Sequence, residues 1–248
     1  MHRVLVEPMT DDLAGRELVV TGEEAHHAVR VKRLEPGAPV ELVDGHGRVG
    51  TGTHESVVKL GKKDGWALRV RVDSVSVVEP HAPEVRVVGA VPKGPRLETM
   101  IDQLAQVGAA SWRPLVTARS VVDPRGGKLD RLERVSLGAL KQSGRAWALR
   151  IERGQHLSSV FEGAEGARVV AADASGERYE PVGDGRPVTL LVGPEGGWTD
   201  AELAAVRKRG AEVVRFGVHV MRIETAAVAA AAIVLEAEHA ATHISGGA

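Results

Sequence analysis

The sequence predicts a mixed α/β protein, a small β-barrel followed by a domain built on a mainly parallel sheet. Two observations predict it. The first 78 residues carry short alternating apolar runs separated by Gly and Asp turns, with one helical interruption. Beyond them, apolar strands alternate with amphipathic helices, the pattern of a parallel sheet with helices on its faces. The chain has 248 residues, 43% hydrophobic and 26% charged, room for one large or two modest domains.

The expected elements follow in order. Strands fall at 3–6, 17–20, 40–43, 49–53 and 66–78, with turns at Asp44-Gly45 and Asp64-Gly65 and a helix over 22–32. So many short strands in a small space suggest a compact barrel. "VEPHAPEV", with Pro80 and Pro83, reads as a linker between domains at 1–75 and 83–248. Next comes a continuous apolar-rich strand at 85–91. "RLETMIDQLAQVG" places Leu97, Ile101 and Leu104 on one helical face and closes on Gly108. A strand at 112–117 leads to a helix over 128–144, on which Leu129, Leu132, Ser136 and Leu140 nearly align. Strands at 168–172 and 188–192 continue the alternation. Thr199-Asp200-Ala201-Glu202 is a capping box, and its helix stops at Gly210. A short strand at 213–215, an apolar loop at 216–221 and a helix beginning at Ile223 or Glu224 complete the chain. That helix carries alanine at 226, 227 and 229–232. Such small side chains suit either a plain buried helix or one packed closely on a partner or a tucked chain.

"LLVGPEGGWTDAEL", residues 190–203, is the stretch that points to chemistry. An apolar strand ends in three glycines, a proline and an acid, and a helix begins at once. The loop lacks the lysine and hydroxyl of a phosphate-cradling loop and the Gly-x-Gly-x-x-Gly of a dinucleotide site. Its place, beyond the carboxyl end of a strand, is where sites lie in such sheets.

Composition narrows the function further. With no cysteine, disulfides and thiolate zinc sites are excluded. The histidines are scattered and the adjacent pair His26-His27 diverges on a helix, so no metal is expected. No run is long and apolar enough to span a membrane, and "MHRVLVEPMTDD" has no secretory core, so the expected location is cytoplasmic. The net charge is -1, yet residues 111–153 carry ten basic and four acidic side chains. A local basic surface is what phosphate binding needs, although a solvated helical face would read the same.

Two segments about twenty residues apart, "LLVGPEGGWTDAEL" and "FGVHVMRIETAAVAAAA", resemble the signature of the RsmE family. His26-His27 with Val29-Arg30, "PKGPRLETMIDQLAQVGAASWRPLVTARS" and "KQSGR" (141–145) resemble further family segments in the expected order. Phe216, Ile223, Trp198 and Pro95 depart from the usual residues. The family comprises bacterial methyltransferases that use S-adenosylmethionine (SAM) to methylate N3 of a uridine in the decoding region of small-subunit ribosomal RNA. The resemblance implies a C-terminal parallel-sheet domain of the α/β-knot (SPOUT) class, threaded as a trefoil, behind a PUA-like barrel. It implies SAM as cofactor, small-subunit RNA or the assembled subunit as partner, and a homodimer.

On that basis the cofactor residues are Leu191, Gly193, Pro194, Glu195, Gly197, Phe216, Gly217, Val220, Met221 and Thr225. Gly197 is read as a place where a larger side chain would crowd the site. Arg222 is the candidate to stabilise the uridine anion, or else to brace the fold through a carboxylate such as Glu195. His27, Arg30, Arg33, Lys93, Arg119 and Arg145 are the candidate RNA contacts, extended by the face at 128–134. Two other readings are a knotted ribose 2′-O-methyltransferase and a non-catalytic RNA-binding or assembly factor.

Overall fold

The computed structural model describes residues 1–61, 65–121 and 129–245, the side chains of 243–245 excepted. The expected Asp64 turn residue, Arg125 and Lys128 lie outside these. The chain divides into two units: Met1–Pro80 with Leu140–Ala148, and His81–Ala139 with Leu149–Ala248.

The first unit holds a five-stranded sheet of β1 (His2–Leu5), β2 (Glu17–Val20), β3 (Pro39–Val43), β4 (Arg48–Lys59) and β5 (Trp66–Val77), in the order β1-β3-β4-β5-β2. β4 runs past the expected 49–53, and its pairing with β5 slips at Thr51/Gly52 and at His54/Ser56. Such bulges bend a sheet. At Gly52 a Cβ would stand 2.7 Å from the Arg71 carbonyl oxygen, so the bulge needs glycine. Val4 of one edge strand and Val20 of the other are buried in one cluster with Leu42, Leu68 and Val70, so the sheet wraps a single core. Ala25 and Ala28 close it. They lie on α1 (Gly22–His26) and on the π-helical turn His27–Val31 that continues it, where one uniform helix was expected. The returning segment Leu140–Ala148 belongs to this unit. Arg3 donates to the carbonyls of Leu140 (3.3 Å) and Arg145 (2.8 Å), and the Trp147 indole N–H donates to the Val78 carbonyl at 2.7 Å.

In the second unit every strand pairing is parallel. β6 (Val85–Gly89), β7 (Ser111–Val116), β8 (Arg150–Ile151), β10 (Arg168–Arg178), β11 (Val188–Val192) and β12 (Glu212–Arg215) run in the order β12-β10-β11-β6-β7-β8, and β9 (Gln155–His156) also pairs β7. β8 and β9 were not expected, since two residues carry no period. Both faces of the sheet are covered, which is why its strands read as continuous apolar runs. On one face, Val87, Val170 and Leu190 meet Ile101 and Leu104 of α2 (Arg96–Val107) and Ala227, Ala230 and Val234 of α5 (Ile223–Ser245). On the other, Val88, Val169 and Leu191 meet Leu203 and Val206 of α4 (Asp200–Lys208). The remaining helix, α3 (Leu129–Ser143), sets Leu132 into the first of these clusters. α2 ends on Gly108 at φ 107°, and the capping box at Thr199 and Glu202 is formed.

The alanines of α5 serve close packing inside this unit: Ala227, Ala230 and Ala231 are fully buried. Near its end, a Cβ on Gly183 would stand 2.8 Å from Ala241. A buried network fastens the same region. Glu238, 3% exposed at its side chain, pairs with Arg168, 7% exposed, at 2.7 Å. The same carboxylate accepts from the Tyr179 hydroxyl and from the backbone N–H groups of Val182 and Gly183. Hydrogen bonding to Glu212, opposed by burial, holds the Arg168 pKa above its ordinary value, and burial with the Glu238 bond pushes the Tyr179 hydroxyl up. No described helix is long and apolar enough to cross a membrane.

Candidate cofactor cleft

Strands β11 and β12 end at one cleft of ≈ 360 Å³, which β10, lying between them, borders along its length. This falls in the range of roughly 300–1,000 Å³ usual for small-molecule sites. β11 delivers Val192 and the glycine loop. β12 delivers Arg215 and the loop 216–221. β10 delivers Ala172–Asp173–Ala174. There the β10–β12 register shifts between Ala172 and Glu177, so the strand bulges where it borders the cleft. The shift requires Gly176, because a Cβ would come within 2.3 Å of the Val213 carbonyl oxygen.

Trp198 organises the glycine loop. Its indole N–H donates to the Ala172 carbonyl at 3.0 Å, tying the loop to β10. Its ring lies beside Gly193, where a Cβ would stand 2.8 Å away. That close approach is the physical reason the strand ends in glycine. The loop turns through a Gly197 N–H bond to the Pro194 carbonyl at 2.9 Å. Gly197 has φ 70° with nothing within 4 Å of its Cβ position. A side chain at Gly197 meets backbone strain and projects where no protein atom stands, on the lining of the cleft, whereas at Gly193 it meets the Trp198 ring.

Arginines brace the loop from outside. Arg119 donates to the carbonyls of Gly196 (2.7 Å) and Trp198 (3.3 Å). Arg96, at the start of α2, reaches Glu195 Oε1 at 3.1 Å and Glu224 Oε1 at 3.7 Å. One guanidinium thus joins the glycine loop to the first turn of α5. The suggested Arg222–Glu195 brace is corrected, since Arg96 occupies that place. Arg222 is exposed, and its side chain has no hydrogen bond or ion pair among the described residues. Its carbonyl accepts the Ala226 N–H at 2.8 Å, which starts α5. Glu224 Oε2 is buried without a hydrogen-bond partner.

Of the sequence-predicted cofactor residues, Gly193, Pro194, Glu195, Gly197, Phe216, Gly217, Val220 and Met221 line this cleft. Leu191 and Thr225 do not. Leu191 is buried under the sheet, because side chains alternate along a strand, and Thr225 is exposed on α5. Sequence reasoning missed Asp173, Arg215 and Arg96. No spacing marks them; their strands and helix are ordinary in pattern. Trp198 could have been found, as one of four tryptophans in a chain poor in aromatics and directly after the glycines.

The residues present fit SAM. Val192, Trp198, Phe216, Met221 and Ile223 give apolar walls, and Asp173 and Glu195 give carboxylates suited to a cation. Asp173 Oδ1 accepts from Ser175, while its other oxygen has no such bond among the described residues. Among the described residues no cluster of His, Asp and Glu could hold a metal ion.

The candidate RNA residues fall in both units. His27 is half-buried and stacks on His2 at 5.6 Å. Arg30 lies over the Trp66 ring at 5.3 Å, and Arg33 is exposed. Arg145 is partly buried, and burial lowers its pKa. Lys93 is exposed and borders a small hollow with Pro194 and Glu195. Arg119 is engaged with the loop as described, and on the α3 face Arg131 pairs with Glu98 at 2.8 Å.

Comparison with known proteins agrees with this geometry. An RNA methyltransferase domain model matches residues 79–235, and an RNA methyltransferase PUA domain model matches 20–60. The ribosomal RNA small subunit methyltransferase E of Mycobacterium bovis is 35% identical over 228 residues, covering 87% of this chain and 85% of that protein. The protein of the same name from Synechocystis is 26% identical, over 93% and 76%. Among solved structures, a Legionella pneumophila methyltransferase in complex with bound SAM superposes with a TM-score of 0.78 at 26% identity, covering 95% and 96% of the two chains. A ribosomal RNA small subunit methyltransferase E from Neisseria gonorrhoeae, bound to SAM, gives 0.79 at 21% identity over 94% and 95%.

Proposed function

The chain belongs to the ribosomal RNA small subunit methyltransferase E family, and from that premise we propose that its cleft holds SAM for methylation of N3 of a small-subunit uridine. It is a SAM-dependent ribosomal RNA methyltransferase with a PUA domain at its N-terminus. The observation that carries the site is the convergence of the glycine loop and the 216–221 loop on one cleft, at the ends of the two strands that flank β10.

When bound, SAM supplies an electrophilic methyl group on a sulfonium centre. The protein must then position a ring nitrogen that carries a proton and stabilise the charge left when the proton goes. Arg222 follows Met221 and precedes Ile223, both of which line the cleft, and its guanidinium is exposed and uncommitted. It stays charged at every relevant pH and suits an anion shared between N3 and the two carbonyl oxygens. His219 lines the same cleft and is a group able to take the N3 proton. Trp198, Arg119 and Arg96 hold the loops so that little reorganisation is needed. The remaining readings belong to the same proposal: a trefoil threading of the C-terminal chain, a homodimer, cytoplasmic action, and RNA grip from the first unit through Arg30 and Arg33.

The test uses small subunits from a strain lacking this protein. Purified protein and SAM should restore a methylated uridine whose nucleoside analysis gives 3-methyluridine. Recovery of 2′-O-methyluridine would favour the ribose reading, and no methyl transfer with no SAM binding by calorimetry would leave a non-catalytic factor. Within the cleft, Gly193→Val should weaken SAM binding at least tenfold, because its side chain drives into the Trp198 ring and the packing of such cores yields little.

A further inference from the structure

Beside the cofactor cleft lies a second groove of ≈ 730 Å³ that shares Arg215, Phe216, Gly217 and Val218 with it. Phe216 forms its floor, backed by Tyr179 at 5.3 Å in a stacked arrangement. Its rim carries two arginines. Arg178 on β10 and Arg215 on β12 stand opposite each other in the parallel register. Both are exposed, and neither side chain has a hydrogen bond or ion pair among the described residues. Like charges set opposite on neighbouring strands destabilise a sheet, so folding alone gives no reason for the pair. Two acids of the neighbouring elements are committed elsewhere, since Glu212 and Glu238 both serve Arg168. Glu180 is the one acidic residue lining the groove. Val218, beside the arginines, is 90% exposed.

We propose that this groove binds the single-stranded RNA next to the target uridine, with Arg178 and Arg215 on a phosphate and the adjoining nucleoside against Phe216 and Val218. The inference rests on the reading of the neighbouring cleft as the SAM site. Continuity of the two hollows lets one strand present a base at the methyl donor while its neighbour lies in the groove. Two exposed arginines paired across neighbouring strands on one groove match a phosphate, and apolar lining beside them matches the face of a base, which is the usual composition of a single-strand site.

The experiment uses full-length protein and a fluorescent twelve-residue oligouridylate, with anisotropy read over a range of salt. Arg178→Ala should weaken binding about fourfold at 0.15 M salt and flatten the salt slope by about 0.7, the counterion-release worth of one single-strand phosphate contact. Arg178→Lys should keep most of the salt slope. The double variant with Arg215→Ala should weaken binding further, its total loss of slope staying near the roughly 0.7 of one phosphate. SAM affinity of the Arg178 variant, measured by calorimetry, should equal that of the wild type. Unchanged RNA affinity and slope in a folded Arg178→Ala protein with intact SAM binding overturns the groove alone. A change from dimer to monomer in sedimentation overturns it too, since the groove would then be a subunit interface. Wild-type protein that takes up no SAM overturns the cleft reading on which the groove depends.

Discussion

At Arg222 the guanidinium is exposed and uncommitted, whereas Arg96 spends its charge on Glu195 and Glu224 and Arg119 spends its donors on loop carbonyls. The three arginines predict different failures. Removing a group that acts only as charge develops should lower turnover more than affinity. Arg222→Ala should therefore cut the single-turnover rate on the order of 10²–10³-fold at saturating SAM and RNA. Its melting temperature should stay near the wild-type value, because no described contact is lost. Arg222→Lys should recover little, since a point charge lacks the planar fork. A stable variant with a near-normal single-turnover rate would remove Arg222 from the chemistry. Arg96→Ala should show the opposite division: weaker SAM binding, with the chemical rate reduced less.

At the scale of elements, α4 is secured by a device with a measurable pH signature. Glu202 closes the capping box with Thr199 and also accepts the Ala118 N–H at 2.8 Å. Burial alone would raise its pKa, but the N–H groups of Ala118 and Thr199 and the Thr199 hydroxyl outweigh that and hold it below 4.5. A carboxylate with a depressed folded-state pKa contributes stability that is present above its unfolded value and lost as pH falls through the folded one. Urea melts of the wild type and Glu202→Gln should thus differ most near neutrality and converge as pH drops below that window. Thr199→Ala should cost roughly 1 kcal/mol, the ordinary worth of an N-cap. A pH-independent difference between wild type and Glu202→Gln would show that the carboxylate's charge is not what matters. β10 is the second telling element. It was expected to stop at 172, but it bulges at Asp173 and resumes to Arg178, which brings both an acid to the cleft and an arginine to the groove.

For the whole molecule, the segment Leu140–Ala148 matters most to experiment. It belongs with Met1–Pro80, through bonds such as those of Arg3 and Trp147, although it follows α2 and β7 in sequence. A fragment beginning near residue 83 would leave the Trp147 indole and the Arg145 carbonyl without those partners. Division of labour between the units is better tested in the full chain. Arg30→Ala with Arg33→Ala should weaken RNA binding and lower its salt dependence while leaving SAM affinity unchanged. A loss of SAM affinity in that protein would contradict the assignment of RNA grip to the first unit.

The sequence by itself determined the α/β class, the order of nearly every long element, the capping box and the two loops that meet at the cleft. These features are local: a period of two or 3.6 residues, a turn residue or a short motif is written in contiguous positions. The resemblance of ordered segments also sufficed to name the family. Only the tertiary structure decided which cations are committed and which are not. Arg96 reaches Glu195 across nearly a hundred residues, and Arg178 faces Arg215 through a register that no single strand encodes. It also decided that Gly193 is the glycine packed against protein, because the Trp198 ring folds back over it. Pairings of this kind depend on how distant strands and helices stack, and side-chain type along the chain does not record them.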